Sequence, residues 1–212
     1  MIQNITLVVA DDHPLLLSGL VGQLKDCKYD ILATAENGAI ALEHIMNFKP
    51  TIAILDEEMP IFTGFEVIKK CKELALDTKF IILTSHKEKG FIYKAQKLNI
   101  SGYIIKDEPF KELHNCIQSV SKGVPYFSSI FNSVLENEVT PQLQKMKLLS
   151  PSERTIVRLV GQGKSSKEIG EYLSLSYRTI EKHRSNIIAK LNLAADKDIL
   201  TIWAKDNLEF IN

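Results

Sequence analysis

The chain has 212 residues, a formal net charge of zero and a hydrophobic fraction of 45%. At roughly 100–200 residues per domain, this length suits one large domain or two small ones, and the average composition excludes a disordered chain or a disulfide scaffold. The apolar runs are far shorter than the ~20 residues of a membrane span, and no basic residue precedes Asp11, so neither a membrane helix nor a signal peptide is expected. The three cysteines lie more than forty residues apart, which is not metal-ligand spacing and favours reduced thiols in the cytoplasm.

The first 122 residues alternate short apolar runs with longer amphipathic ones. The apolar runs are rich in Ile, Val, Leu and Thr and have the length of strands, at residues 5–10, 30–35, 51–55, 80–84 and 102–105. The predicted helices follow them, at residues 14–26, 38–48, 64–75, 87–98 and 109–122. Five βα units in a row predict a doubly wound α/β fold, in which helices cover both faces of a five-stranded parallel sheet.

The rest of the chain has a different pattern. The stretch 123–148 contains Gly123, Pro125 and Pro141 and predicts a linker with a short helix near residues 130–136. From Leu149 onward only helices are predicted, at residues 151–161, 166–173, 177–191 and 196–207. The very short turn between the second and third of them is typical of a helix-turn-helix. We therefore predict three parts: a domain over 1–122, a linker over 123–148 and a smaller all-α domain over 149–212.

Polar side chains stand at the carboxyl ends of four predicted strands: Asp11 and Asp12, Asp56, Thr84, and Lys106. In an open parallel sheet, ligands bind beyond that edge. Three neighbouring carboxylates repel one another unless a cation lies between them, and an oxygen-only set favours a hard ion such as Mg²⁺. Since a lysine suits a phosphoryl oxygen, the set predicts an aspartate that accepts a phosphoryl group. Each acid taken alone could instead be a helix cap or a loop residue.

The residues around these positions resemble the receiver domain of two-component response regulators of the NarL/FixJ type, over about residues 4–122. The resemblance rests on Val-Ala-Asp-Asp-His-Pro at 9–14, Asp-Glu-Glu-Met-Pro at 56–60, Thr-Gly at 63–64, Leu-Thr-Ser at 83–85 and Gly-Tyr-Ile-Ile-Lys-Asp at 102–107. It implies a flavodoxin-like sheet and a regulatory protein rather than an enzyme.

The resemblance also implies a role for each matching residue. Asp56 would accept the phosphoryl group from a sensor histidine kinase. Lys106 would pair with the phosphate, while Thr84 would swing its hydroxyl onto a phosphoryl oxygen and Tyr103 would turn inward behind it. Mg²⁺ would be held by Asp11, Asp12, Asp56 and the backbone carbonyl of Glu58.

Three neighbouring residues raise separate questions. Glu57 departs from the usually aliphatic residue at its position; it could strengthen cation binding or face solvent, and we expect it to face solvent. Glu58 and His86 flank the phosphate in this family. We hypothesise that they tune the lifetime of the aspartyl phosphate by steering or blocking the attacking water.

The predicted helix 177–191 has two contrasting faces. Ile180, Ile187, Ile188 and Leu191 cluster on one of them at 100° per residue. The opposite face is polar and carries Arg178, Glu181, Lys182 and Ser185. This pattern alone also suits the solvated face of a helix in a small bundle.

The sequence around that helix closely resembles the LuxR-type DNA-binding domain, over about residues 148–208. The matching segments are Gly-Lys-Ser-Ser-Lys-Glu-Ile at 163–169, Leu-Ser-Leu-Ser at 173–176, Thr-Ile-Glu-Lys-His-Arg-Ser-Asn-Ile at 179–187 and Lys-Leu at 190–191. Side chains able to reach base edges or phosphates are Arg178, Lys182 and Ser185. Backbone phosphates are the expected partners of Lys164, Lys167, Thr179 and Lys190. Glu181 departs from the lysine of many relatives, so the base preference is not predictable from this comparison.

Together these resemblances predict a cytoplasmic, phosphorylation-switched transcription factor that binds double-stranded DNA. A homodimer is expected in the phosphorylated or DNA-bound state, with the helix near 196–205 as its contact. A haloacid-type phosphatase is the main alternative, but Asp56-Glu57-Glu58 lacks the Asp-x-Asp pair of such enzymes. A regulator with a vestigial receiver and a ligand-sensing LuxR-type protein are further alternatives, and neither would need the full acidic set.

Overall fold

The computed structural model of the chain describes residues 5–194 and 198–211. They form two compact units, one ending at Val134 and the other beginning at Leu135. Each unit has its own set of fully buried apolar side chains.

The first unit is built on a parallel sheet with the strand order β2-β1-β3-β4-β5-β6. The strands are β1 (Thr6–Ala10), β2 (Asp30–Ala35), β3 (Ile52–Leu55), β4 (Lys79–Thr84), β5 (Gly102–Ile105) and β6 (Tyr126–Phe127). The helices that follow the first five strands are α1 (Pro14–Asp26), α2 (Gly38–Phe48), α3 (Gly64–Glu73), α4 (Lys89–Lys97) and α5 (Phe110–Ser121). These elements confirm the predicted doubly wound α/β fold.

The central strands are buried on both faces. Leu7 and Val9 of β1 pack with residues of α1 and α5 on one side. Val8 points to the other side and is equally inaccessible to solvent. Strands covered on both faces read as continuous apolar runs, which is why β1 and β3 stand out in the sequence.

The sheet has six strands in place of the predicted five. The additional strand β6 pairs in parallel with β5, Gly102 opposite Tyr126. A two-residue strand between Pro125 and Ser128 is too short to show an alternating pattern, so it is hidden inside the predicted linker. The short helix α6 (Ser129–Val134) follows at once, close to the helix predicted near residues 130–136.

Gly64 sets the distance between α3 and the end of β3. A Cβ atom at this position would lie 2.4 Å from the backbone carbonyl oxygen of Asp56. Only glycine therefore allows the helix to begin this close to the strand end. Thr63 caps the helix through a capping box with Glu66, so the loop that carries Asp56 is held at both of its ends.

The second unit is all-helical. A π-helical turn (Leu135–Val139) precedes α7 (Thr140–Lys147), so much of the predicted linker is helical. The remaining helices are α8 (Pro151–Gly161), α9 (Ser166–Leu173), α10 (Tyr177–Lys190) and α11 (Ile199–Asp206), with a 3₁₀ turn at Leu208–Phe210. The prediction that the last helix starts near residue 196 falls partly on residues 195–197, outside the described residues.

Side-chain caps fix the helix starts of this unit. Ser150 with Glu153 and Ser165 with Glu168 form the two predicted capping boxes, and Ser176 accepts a hydrogen bond from the backbone N–H of Thr179. These three predictions are confirmed.

The turn between α9 and α10 is tight. Ser174 adopts a left-handed conformation with φ 55°. A Cβ atom on Gly170 would lie 2.7 Å from the carbonyl oxygen of Leu175, so this glycine lets the turn close against α9. The result is the predicted helix-turn-helix, with Ile180 and Ile187 of α10 buried and Trp203 packed into the same small core.

Candidate functional site

The carboxyl ends of β1, β3 and β5 bring three of the predicted site residues into direct contact. The Lys106 ammonium lies 2.7 Å from Asp11 Oδ2 and 2.8 Å from Asp56 Oδ2. Both aspartates are almost completely buried, at 1% and 4% exposure. Thr84, at the end of β4, is also buried at this edge. The geometry therefore brings the predicted acids, amine and hydroxyl to one place.

Asp56 lies in the middle of this cluster. Its Oδ1 accepts a hydrogen bond from the backbone N–H of Glu57 at 2.7 Å, and its Oδ2 faces Lys106. Burial raises the pKa of Asp56 above its ordinary value, although Lys106 opposes this. Burial works against the charge of Lys106 as well, but its contacts with the two aspartates outweigh this and raise the lysine pKa. The pair is therefore a carboxylate and an ammonium held together in a poorly solvated site.

The donor set suits a hard divalent cation. One ligand atom from each of Asp11, Asp12, His13 and Asp56 lies within 4.8 Å of the others. Three of the four donors are carboxylates, which is the chemistry that Mg²⁺ prefers. The His13 side chain is 71% exposed and its Nδ1 lies 2.8 Å from Asp12 Oδ1, so its ring contacts the acidic cluster from the solvent side. The residues present therefore fit the ion that the sequence predicts.

A small cavity opens above Asp56. Its volume is about 110 Å³, and it is lined by Asp12, His13, Asp56, Glu58, Thr84, Ser85, His86 and Lys106. At its mouth, His86 Nε2 lies 2.9 Å from Glu58 Oε1. The imidazole is stacked on Phe91, with ring centroids 3.9 Å apart and an angle of 7° between the planes. The other imidazole nitrogen, Nδ1, lies 3.2 Å from Glu88 Oε2, so His86 is held by one ring and two carboxylates.

Thr84 and Tyr103 are connected through one residue. The Thr84 hydroxyl oxygen accepts a hydrogen bond from the backbone N–H of His86 at 3.3 Å, and the Tyr103 hydroxyl donates to the backbone carbonyl of His86 at 3.0 Å. Tyr103 is fully buried, and its ring packs 5.1 Å from that of Phe131 on α6. The tyrosine thus lies inward without a phosphoryl group on Asp56, beneath a helix that the sequence prediction placed in the linker.

The expectation that Glu57 faces solvent is wrong. Its side chain is 4% exposed, and its Oε2 accepts a hydrogen bond from the backbone N–H of Phe65 at 2.9 Å. Burial raises its pKa to about 7. The carboxyl satisfies a free N–H in the first turn of α3, a role that favours an acid. The sequence signal for this role is the start of α3, seven to eight residues downstream at Gly64 and Phe65.

A second candidate surface lies on α10. A shallow concavity of about 640 Å³ is lined by Ser176, Arg178, Thr179, Glu181, Lys182 and Ser185, and we call these residues the recognition face. It contains four of the predicted DNA contacts. Lys190 lies elsewhere, with its ammonium 2.7 Å from Glu153 Oε2 on α8. Lys164 precedes α9 and Lys167 lies in its first turn, and neither lines the concavity.

Comparison with known families places both parts of the chain. Residues 7–118 match the model of the response regulator receiver domain. Residues 147–203 match the model of bacterial regulatory proteins of the luxR family. The chain is a response regulator with a LuxR-type DNA-binding domain. It is therefore a transcription regulator and not an enzyme, as the two family resemblances implied.

Similar proteins support this membership over the full length. Among curated relatives, the oxygen regulatory protein NreC of Staphylococcus epidermidis is 30% identical over 215 residues, which covers 95% of this chain and 98% of NreC. A DNA-binding response regulator of the LuxR family from Staphylococcus aureus is 33% identical, with a TM-score of 0.54 over 55% of this chain and 98% of that chain. RcsB from Salmonella enterica serovar Typhimurium, solved bound to a promoter, shares the fold at 23% identity, with a TM-score of 0.67 over 99% of this chain and 98% of that chain. In the described residues of the response regulator, no helix combines the length and the apolar character of a membrane span.

Proposed function

We propose that Asp56 is the phosphoacceptor of this response regulator and that a sensor histidine kinase supplies the phosphoryl group. In this reaction an Asp56 carboxylate oxygen attacks phosphorus and the P–N bond of the phosphohistidine breaks. The bonding electron pair leaves with the imidazole nitrogen. The observation that carries the proposal is the Lys106 ammonium lying between Asp11 and Asp56, because a fixed cation there meets the negative charge that develops on the phosphoryl oxygens.

A bound cation would be the second positive charge, besides Lys106, that meets the negative charge on the phosphoryl oxygens. Asp11, Asp12 and Asp56 would hold Mg²⁺ through carboxylate oxygens, and Glu58 would add its backbone carbonyl. When bound, the ion neutralises charge on the phosphoryl group. The residues of the chain do the rest: Lys106 is pinned by two ion pairs, and the buried surroundings of Asp56 limit the access of water.

Thr84 and Tyr103 are proposed as the switch. Both contact the same residue, His86, whose backbone N–H and carbonyl point to the threonine and the tyrosine. If Thr84 turns its hydroxyl toward a new phosphoryl oxygen, it gives up the hydrogen bond from His86. The His86 backbone then loses one of its two anchors, and the change reaches Tyr103 and the helix above it.

The helix-turn-helix is proposed to place α10 in the major groove of double-stranded DNA. Arg178, Lys182 and Ser185 of the recognition face would approach base edges or phosphates. Phosphates are the proposed partners of Lys164, Lys167 and Thr179, and Lys190 could join them only by leaving Glu153. RcsB has been solved as two dimers on two DNAs, which supports a homodimer here in the phosphorylated or DNA-bound state.

For the functional parts we propose the predicted division into a receiver over residues 1–122, a linker over 123–148 and a DNA-binding domain over 149–212, with the first part of the linker, β6 and α6, packed on the receiver. Since the proposed partner is chromosomal DNA, the proposed compartment is the cytoplasm.

The test of the phosphoacceptor is the intact mass of the full chain after incubation with acetyl phosphate and Mg²⁺. We expect a gain of one phosphoryl group in the wild type and none in Asp56→Asn. The matched control is Asp107→Asn, the same substitution at an exposed carboxylate paired with Lys87, and it is expected to gain the group normally. No gain in the folded wild type would favour a vestigial receiver, and a gain in Asp56→Asn would move the site to another residue.

A further inference from the structure

Glu181 occupies an unexpected place for an acid. It lies on the recognition face among Arg178 and Lys182, on a surface whose partner is a polyanion. A carboxylate there repels phosphates, so it lowers affinity for any DNA unless it has a specific partner. The donors that DNA offers to a carboxylate in the major groove are the exocyclic amino groups of the bases.

The side chain of Glu181 is held in one orientation by the neighbouring helix. The hydroxyl of Ser166, the first residue of α9, donates to Glu181 Oε1 at 2.5 Å, and Ser166 is only 8% exposed. Arg184 Nε lies 4.0 Å from the same oxygen. Both contacts are on Oε1. Within the part of the chain that the structure describes, no hydrogen bond or ion pair to Oε2 is formed, and the side chain keeps 45% of its surface exposed.

Ser185 repeats this acceptor character one turn further along α10. Its hydroxyl donates to the backbone carbonyl of Glu181 at 3.0 Å. Because its only proton is committed to that bond, the serine oxygen faces outward as an acceptor. The centre of the recognition face therefore presents two acceptors, Glu181 and Ser185, flanked by the cationic donors Arg178 and Lys182.

We infer that Glu181 reads a cytosine in the major groove through its free carboxylate oxygen and that Ser166 is the residue that positions it. Cytosine presents its N4 amino group as a donor. Adenine also presents an amino donor, but its N7 acceptor lies beside it and would repel the carboxylate. Arg178 and Lys182 are placed to meet the acceptors of guanine or the phosphates. This inference rests on the proposed DNA binding by α10.

The experiment selects binding sites from a randomised double-stranded DNA library. The full chain is used with and without acetyl phosphate, as wild type, Glu181→Gln and Ser166→Ala. We expect the wild-type motif to contain one strongly preferred cytosine. In Glu181→Gln that preference should move to adenine, since an amide can donate to N7 and accept from N6, and the ratio of cytosine to adenine sites should change about tenfold or more. Preferences at the other positions should stay as they are.

Ser166→Ala separates positioning from folding. The carboxylate remains but loses its hydrogen bond, so we expect the preference for cytosine at that position to weaken while total DNA binding and the thermal midpoint change little. Ser166→Thr keeps a hydroxyl and should restore the preference. The matched control is Glu171→Gln, which removes the same charge from an exposed site on α9 away from the recognition face. It is expected to leave the motif unchanged.

The outcomes distinguish base reading by Glu181 from DNA binding by α10. If the wild type enriches a motif and folded Glu181→Gln enriches the same one at every position, the base-reading role is overturned while DNA binding stands. If Ser166→Ala keeps the full preference, Ser166 does not position the carboxylate. If the wild type enriches no motif in either state, the proposed use of α10 in sequence-specific binding fails first.

Discussion

At the scale of single residues, the contact between His86 and Glu58 has the clearest chemical meaning. The two side chains meet at the mouth of the cavity above Asp56, and Phe91 fixes the imidazole from behind. This cavity opens directly above Asp56, so it offers water a path to an aspartyl phosphate there. The paired side chains narrow it, so they are placed to protect the phosphoryl group.

We expect His86→Ala and Glu58→Ala to shorten the lifetime of the aspartyl phosphate, by about tenfold, which corresponds to ~1.4 kcal/mol in the barrier to hydrolysis. Because the two side chains act through one contact, the double variant should lose less than the sum of the two single effects. The measurement is the rate at which the phosphorylated mass disappears after acetyl phosphate is removed. Unchanged rates in both single variants would show that the contact has no protective role.

Among the elements, α6 has an unexpected position. Phe131 lies on Tyr103 and stacks on Phe127, with ring centroids 4.5 Å apart in the second case. Ser128 is buried, caps the start of the helix by accepting from the Phe131 N–H, and donates its own N–H to the Tyr103 carbonyl. The proposed switch tyrosine is therefore covered by the segment that leads toward the second unit.

Phe131→Ala should remove this cover. Deleting a fully buried phenylalanine leaves a cavity beside Tyr103, and we expect the first unit to lose about 3–5 kcal/mol of unfolding free energy. Hydrogen exchange of the buried β4 and β5 amides, which lie in the first unit, measures the loss. Ser129→Ala, an exposed change in the same helix, is the control and should change little. A loss as small as that of the control would show that α6 contributes nothing to holding Tyr103.

Glu153, at the start of α8, makes a pH-dependent contribution to the stability of the second unit. Glu153 closes the capping box with Ser150 and pairs with Lys190, and these partners outweigh the effect of burial and lower the Glu153 pKa below its ordinary 4.5. An acid with a lowered pKa stabilises the folded state above the unfolded value and loses that contribution as the pH falls through the folded one.

Glu153→Gln keeps the capping geometry and removes the charge. At pH 7 we expect it to cost about 1.5–3 kcal/mol, with the difference from wild type shrinking as the pH falls below 4.5. Trp203, the only tryptophan of the chain, reports on the unfolding of this unit. Glu168→Gln, at the same capping position of the exposed α9 box, is the comparison and should cost less. A pH-independent difference in Glu153→Gln would contradict the electrostatic origin.

Some of these elements are readable in the sequence and others are not. Capping boxes such as Ser150 with Glu153 are local, and the strand ends that carry Asp11 and Asp56 follow long apolar runs, so both can be predicted. β6 is a two-residue strand that exists only because β5 offers it a partner, and the burial of Glu57 depends on where α3 begins in space. The hydrogen bond between Ser166 and Glu181 joins two helices, α9 and α10. Contacts of this kind depend on tertiary structure and leave no periodic signal.

For the whole molecule, the distribution of charge over the surface matters more for DNA binding than the net charge. The net charge of the chain is zero, so attraction to DNA must come from cations gathered on one surface rather than from the protein as a whole. The recognition face provides them beside a single acid. Affinity should therefore depend strongly on salt and on few residues.

Lys182→Ala should weaken DNA binding and flatten its dependence on salt. Loss of one phosphate contact lowers the slope of log K against log salt by about 1. Binding titrations at several salt concentrations, on a duplex selected by the wild type, provide the slope. Arg158→Ala, an exposed cation on α8 outside the recognition face, is the control and should keep the wild-type slope. An unchanged slope in Lys182→Ala would exclude a phosphate contact for Lys182.

The sixth strand also has a consequence for how the first unit can be cut. β6 covers one side of β5 along the sheet, and α6 covers the ring of Tyr103. A fragment ending at residue 122 would keep the pairing of β5 with β4 but expose the other edge of β5, at Gly102 and Tyr103, and uncover the Tyr103 ring. Exposed strand edges of this kind add to their own copies, so such a fragment is prone to aggregate, whereas one that continues to residue 134 carries its own protection. A stable fragment of the first unit should therefore end about a dozen residues beyond the end of α5.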